Sequence, residues 1–106
     1  MGELIPLPEP KVPPGSLEEL VRRTHELAER SDNIYLDNPH VRLRMKERGV
    51  TIRQILDVLR QGKGMDGPTL DKYGDWRIKL KRFSAGRIVQ VVVVVKDNHL
   101  EVVTVI

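Results

Sequence analysis

From Arg87 to Ile106 the chain runs Arg-Ile-Val-Gln, then five valines from Val91 to Val95, then Lys-Asp-Asn-His-Leu-Glu-Val-Val-Thr-Val-Ile. β-Branched side chains lose rotamer freedom in a helix and pack well on a pleated surface, so both sides of Asp97-Asn98 read as strand. Asp97-Asn98 itself makes a two-residue turn. Upstream, apolar Trp76, Ile78 and Leu80 alternate with basic Arg77, Lys79 and Lys81, a period of two that again demands a strand. Ser84-Ala85-Gly86 fits a three-residue hairpin loop with Gly86 in the left-handed position. The C-terminal part is therefore expected to be a three-stranded antiparallel meander.

Those turns imply a register. The turn at 97–98 pairs Val91 with Thr104 and Val93 with Val102; the loop at 84–86 pairs Lys79 with Val91 and Arg77 with Val93. Directly paired residues share a face. One face then carries Ile78, Leu80, Ile88, Val92, Val94, Val103 and Val105 as core. The other carries Arg77, Lys79 and Lys81 beside a floor of Val89, Val91, Val93, Val95, Leu100, Val102 and Thr104. Two coverings for that second face stay open: the acidic N-terminal helix, or a second polypeptide, including another copy of the chain. A one-residue slip would exchange the faces.

The remainder reads as helix. Five of seven prolines fall in residues 1–15, which reads as an extended, flexible tail. Ser16 with Glu19 forms a capping box, and Leu17, Leu20, Val21, Thr24, Leu27 and Ala28 make one apolar stripe over residues 16–31. Ile34-Tyr35-Leu36 is a short strand. Asn38-Pro39 opens a second helix that stops at Gly49, and Thr51 with Gln54 caps a third that stops at Gly62. Residues 62–75 read as the longest loop. The expected class is α+β, in the order βααβββ over residues 34–106, with the meander packed on two helices and an extra helix before it.

Charge is divided along the chain. Residues 1–37 hold four basic and eight acidic side chains, residues 38–106 fourteen and seven. The surplus in the second part attracts polyanions, of which nucleic acid is the commonest. The absence of cysteine excludes disulfides, thiolate zinc sites and a cysteine nucleophile. His25, His40 and His99 stand far apart in sequence, and no metal or nucleotide-binding motif accompanies them, so no metal or cofactor is expected. The longest apolar stretch is five residues, far short of the roughly 20 that span a membrane. With no secretory leader pattern, the expectation is a cytoplasmic protein without a membrane partner.

His40, Arg44 and Arg48 follow one another at helical spacing. Imidazole moves protons near neutral pH, and guanidinium grips phosphate by two parallel bonds. Cleavage of RNA without a metal asks for such parts: a base for the 2′-hydroxyl, cations for the phosphorane charge, and an acid for the leaving oxygen. The alternative is a solvated helix face. Thr104 offers a hydroxyl to a phosphate oxygen beside Lys79, or is there for strand propensity alone. Tyr73 and Trp76 are candidates to stack on a base.

The pattern His-x-Arg-x-Arg-Met-x-Glu-Arg-Gly-Val-Thr from His40 to Thr51, a further helix ending in Gly, the meander and the terminal Val-Val-Thr-Val-Ile resemble an uncharacterised domain family grouped with the RelE/ParE-like toxins of toxin–antitoxin modules. The resemblance covers about residues 34–106 and implies a RelE-like fold. It also implies a metal-independent endoribonuclease acting on RNA, ribosome-bound mRNA included, and neutralised by a cognate antitoxin. Carried over by position, it makes His40, Arg44, Lys79 and Thr104 the catalytic group, with Arg48, Arg77, Lys81, Arg82 and Arg87 on RNA. ParE-like relatives act on gyrase instead, so a non-catalytic binding or inhibitory module is the alternative.

Overall fold

A computed structural model of the chain describes residues 16–65 and 67–106; the proline-rich segment 1–15 lies outside them. The order is α1 (Leu17–Ala28), a 3-10 turn (Ser31–Asn33), β1 (Ile34–Tyr35), α2 (Pro39–Arg48), α3 (Ile52–Gln61), β2 (Lys63–Gly64), β3 (Thr69–Leu70), β4 (Trp76–Ser84), β5 (Arg87–Val95) and β6 (Leu100–Val105). The class is α+β. One open, mixed sheet runs β1-β6-β5-β4-β2, with β3 also on β4, and β1 joins β6 in parallel. The expected long loop at 62–75 therefore contains two short strands that extend the sheet past β4. Among the described residues, no helix is long and apolar enough to cross a membrane.

The helices begin where their caps stand. Ser16 Oγ accepts from the Glu19 amide, Asn38 Oδ1 from the His40 amide with Pro39 at the first helical position, and Thr51 and Gln54 form a reciprocal capping box. Glu19 does not close its own box, because its carboxylate is engaged by Arg22 at 2.7 Å.

The meander register differs from expectation by one residue at the first hairpin. Ser84 pairs with Arg87 around a two-residue turn, and Ala85 and Gly86 both have positive φ (51° and 84°). A two-residue turn with both residues at positive φ matches the right-handed twist of the strands, which a type I or II turn would splay. Leu80 consequently faces Val91 and Ile78 faces Val93. Val89, Val91, Val93 and Val95 line the core with Leu100, Val102 and Val105, while Ile88 is 60% exposed. The valine floor assigned to the open face, and to a dimer through it, is thus the interior of the protein.

At the second hairpin the expected turn and the Val93–Val102 pair are present, but a bulge follows. Val103 is the extra residue, so Thr104 pairs with Val92 and Val105 with Val91. The bulge restores Thr104 to the face of Lys79, the partner expected for it through a different register.

α1 lies beside α3 over the core face, not across the basic face. Leu20, Thr24 and Ala28 are buried, Arg60 Nε donates to the Ala28 carbonyl at 2.7 Å, and His25 Nε2 bonds the Gly62 carbonyl at 2.8 Å. A carbonyl only accepts, so Nε2 carries the proton there. Gly64 leaves room for α1: a Cβ built on it would stand 2.7 Å from Val21 Cγ2. Leu20→Ala is expected to cost about 3 kcal/mol, within the range for leucine truncation in a core. Urea denaturation measures it, and a loss below about 1 kcal/mol would mean that α1 only rests on the surface.

Candidate functional site

The open face of the sheet carries three cross-strand rows. In the first, Lys79 faces Val92 and Val92 faces Thr104. Strands lie about 4.8 Å apart, so Lys79 and Thr104 stand about 10 Å apart across the sheet. His40, in the first turn of α2, closes the row: its Nε2 is 3.1 Å from Thr104 Oγ1. The Thr104 hydroxyl has a second acceptor, the Val105 carbonyl at 3.3 Å. When its proton takes that bond, His40 Nε2 donates to Oγ1 and Nδ1 carries the ring's lone pair.

The second row is Lys63, Lys81 and Gln90, from β2 to β5. Lys63 and Lys81 are directly paired like charges, an arrangement that costs stability. Among the described residues, Lys63, Lys79 and Lys81 make no ion pair within 4.0 Å. The third row is Arg77, Val94, Glu101 and Tyr35. It crosses a cleft of about 740 Å³ whose rim includes Asn38, two residues before His40.

A loop built on Asp71 closes that cleft at one end. Asp71 Oδ1 accepts from the amides of Tyr73 and Asp75, and Oδ2 lies 3.4 Å from Arg77 Nε. Burial alone would raise the Asp71 carboxyl; the two amides and the guanidinium together outweigh it and hold the group below its ordinary range. Next to it, Lys96 Nζ bonds buried Asp75 Oδ2 at 2.7 Å. That hydrogen bond, against the cost of burial, raises the ammonium above its usual value. Asp75 Oδ1 is buried without a hydrogen-bond partner among the described residues.

The structure thus brings together His40, Thr104 and Lys79, with Arg77 and Lys81 on the same face. The other expected residues are elsewhere or already engaged. Arg44 Nε donates to the Val105 carbonyl at 3.1 Å and its guanidinium lies 3.7 Å from Glu47, so it fastens α2 to the end of β6. Arg82 is on the helix side of β4, 2.8 Å from Asp57, because strand alternation puts it with Leu80. Arg87 donates to the Arg48 carbonyl at the end of α2, which places both away from the open face. Trp76 packs against the core, whereas Tyr73 is exposed at the cleft.

Sequence reasoning missed Tyr35, His99 and Glu101. His99 Nε2 is 2.9 Å from Glu101 Oε2, and its ring lies 4.6 Å from that of Tyr35. Only the parallel pairing of β1 with β6 assembles them. The Asp71 loop did have a signal: aspartate followed by Lys-Tyr-Gly-Asp is an Asx-turn pattern. Among the described residues, no cluster of three or more His, Asp or Glu is placed to hold a metal ion.

Fold and site define a small α+β domain whose open mixed sheet presents a basic, polar face flanked by a helix histidine. The chain belongs to the family described as "Domain of unknown function (DUF4258)", whose model matches residues 38–106. No curated protein and no solved structure gave a match. The matched segment starts at the cap of α2, so α1 and β1 precede it.

Two outcomes follow from these electrostatics. The contribution of Asp71 is complete above its unperturbed value of 3.8 and is lost as pH falls through its lower folded value. Asp71→Asn should flatten that acid limb in urea midpoints measured across it. Lys63→Glu should raise stability by about 0.5 kcal/mol at low salt, by turning a like-charge pair into an opposite one, with the gain shrinking as salt is added.

Proposed function

We propose that this protein is a toxin-like endoribonuclease that cleaves RNA without a metal ion, by attack of a 2′-hydroxyl on the adjacent phosphate. The observation that carries the reading is the row of Lys79, Val92 and Thr104 closed by His40. In this reaction the 2′-oxygen bonds to phosphorus and the 5′-oxygen leaves, giving a 2′,3′-cyclic phosphate and a 5′-hydroxyl end. His40 in its neutral form takes the 2′-proton at Nδ1, while Thr104 holds the ring. Lys79 neutralises the charge growing on the phosphorane and, as an ammonium on the far side of the row, supplies the proton to the leaving oxygen. Lys81 and Lys63 extend the positive track for the strand on either side.

The likeness of the His40 to Thr51 motif to a family grouped with the RelE/ParE toxins supports the same reading. With it come two partners: RNA, including ribosome-bound mRNA, and a cognate antitoxin whose binding would neutralise the toxin. One observation favours a second reading, a non-catalytic module that binds nucleic acid or inhibits a protein target. Arg44, the cation one turn from His40, is already held by Val105 and Glu47.

Inducible expression in bacteria separates the two, comparing the wild type with a His40→Ala, Lys79→Ala double variant. Growth arrest with mRNA fragmentation is expected for the wild type. Purified variant, with its circular dichroism unchanged, should lose at least about 100-fold in cleavage rate. The products should carry 2′,3′-cyclic phosphates and form equally in chelator. Arrest with intact mRNA would replace the ribonuclease with an inhibitor of a protein target.

A further inference from the structure

Next to the Lys79–Thr104 row lies the cleft of about 740 Å³, within the range of small-ligand sites. We infer that this cleft is a base-recognition subsite for guanine, with the base's donor edge on Glu101 and its O6/N7 edge on Arg77. The inference rests on the ribonuclease reading for the RNA strand that would carry the base, but its own chemistry can be tested separately.

The shape suits a flat aromatic ligand. Tyr35 and Tyr73, 58% and 70% exposed, stand at the rim, contributed by opposite sides of the sheet. Val94 and Val103 line the cleft between them. Exposed aromatics above an apolar floor are the usual platform for an unstacked base.

The polar groups select among bases. Arg77 and Glu101 lie on either side of Val94 in one row. Glu101 is pre-oriented: Oε2 is held by His99, whose ring packs at a tilt against Tyr35, and Oε1 has no hydrogen-bond partner among the described residues. Arg77 is steadied through Nε by Asp71, and its two terminal nitrogens have no hydrogen-bond partner among the described residues. Guanine offers N1–H and N2–H₂ to a carboxylate and O6 with N7 to a guanidinium. Adenine would set an amino group against Arg77 and an unprotonated N1 against Glu101, and pyrimidines lack N7. Lys96, the other cation lining the cleft, is held by Asp75 Oδ2 at 2.7 Å.

Placement ties the cleft to the row. Asn38 and Val103, two of its lining residues, directly precede Pro39-His40 and Thr104 in the chain, so the base would belong to a nucleotide flanking the cleaved phosphate.

The test is titration of the full chain with guanosine, inosine, adenosine and cytidine 3′-monophosphates, by calorimetry or amide shifts, alongside cleavage of RNAs of defined sequence. Guanosine should bind at least about tenfold tighter than adenosine, as expected for charge-assisted hydrogen bonds. Inosine, lacking the 2-amino group, should fall between them. Glu101→Gln should reduce the preference to below about threefold with the fold intact, and Tyr35→Ala should weaken all four nucleotides alike. Equal binding of all four, no binding of any, or a guanosine preference that survives Glu101→Gln would overturn the subsite. Guanosine preference without RNA cleavage would keep the subsite and remove the ribonuclease. Cleavage indifferent to base and to Glu101→Gln would do the reverse.

Discussion

The two-residue turn at Ala85-Gly86 decides which half of the sheet's side chains meets the helices. Both residues take positive φ, and the tight turn sets Leu80 against Val91 and Ile78 against Val93. With that register the centre of the inward face is aliphatic, from Ile78 and Leu80 to Val91 and Val93, and Arg77, Lys79 and Lys81 point to the open face. A slip of one residue in β5 would turn Gln90 toward the core and leave Val91, Val93 and Val95 in water. The helix layer follows from this choice, because Leu20 of α1 and Ile55, Val58 and Leu59 of α3 are buried in the same cluster as the inward valines.

The bulge in β6 is a second device of the same kind. Without it Thr104 would pair with Val91 and turn its hydroxyl into an aliphatic core. With it Val102 and Val105 stay inside, and Thr104 comes out to meet His40. α2 uses one face for two tasks here. His40 reaches the Thr104 side chain, and Arg44, one turn on, takes the Val105 carbonyl beyond the short stretch of β6 that β1 pairs. An edge strand needs such cover, so the contact that protects the fold also builds the candidate site. The open face is less settled: three lysines without an ion pair among the described residues, two of them side by side, are a cost that an anionic ligand would relieve.

Much of this was legible from local chemistry. The caps at Ser16, Asn38 and Thr51, the stops at Gly49 and Gly62, and the strand alternation of Trp76 to Leu80 each depend on residues a few positions apart, so reading them needs no partner. β5 was harder. Five successive valines have no period, so nothing in Val91 to Val95 says which of them is inside, and the turn length had to decide. Ser84-Ala85-Gly86 reads naturally as a three-residue loop with glycine left-handed. Ala85 also taking positive φ, uncommon for a residue with a Cβ, is what defeated that reading. The contacts of the arginines were illegible for a related reason: Arg44, Arg82 and Arg87 look alike in sequence, yet each meets a carbonyl or carboxylate brought from a distant element.

By itself the sequence determined the three helices with their N-caps, the three strands of the meander, the basic alternation of β4 and the absence of thiol chemistry, because these follow from side-chain shape, capping and composition acting over a turn or less. The tertiary structure alone decided the inward face of β5, the position of α1 beside α3, and the meeting of His40 with Thr104 across 64 positions. It also decided the assembly of Tyr35, Arg77 and Glu101 around one cleft. Those outcomes depend on register, a bulge and a parallel strand pair. Each is set by how distant surfaces pack, and packing energy has no trace in the identity of a single residue.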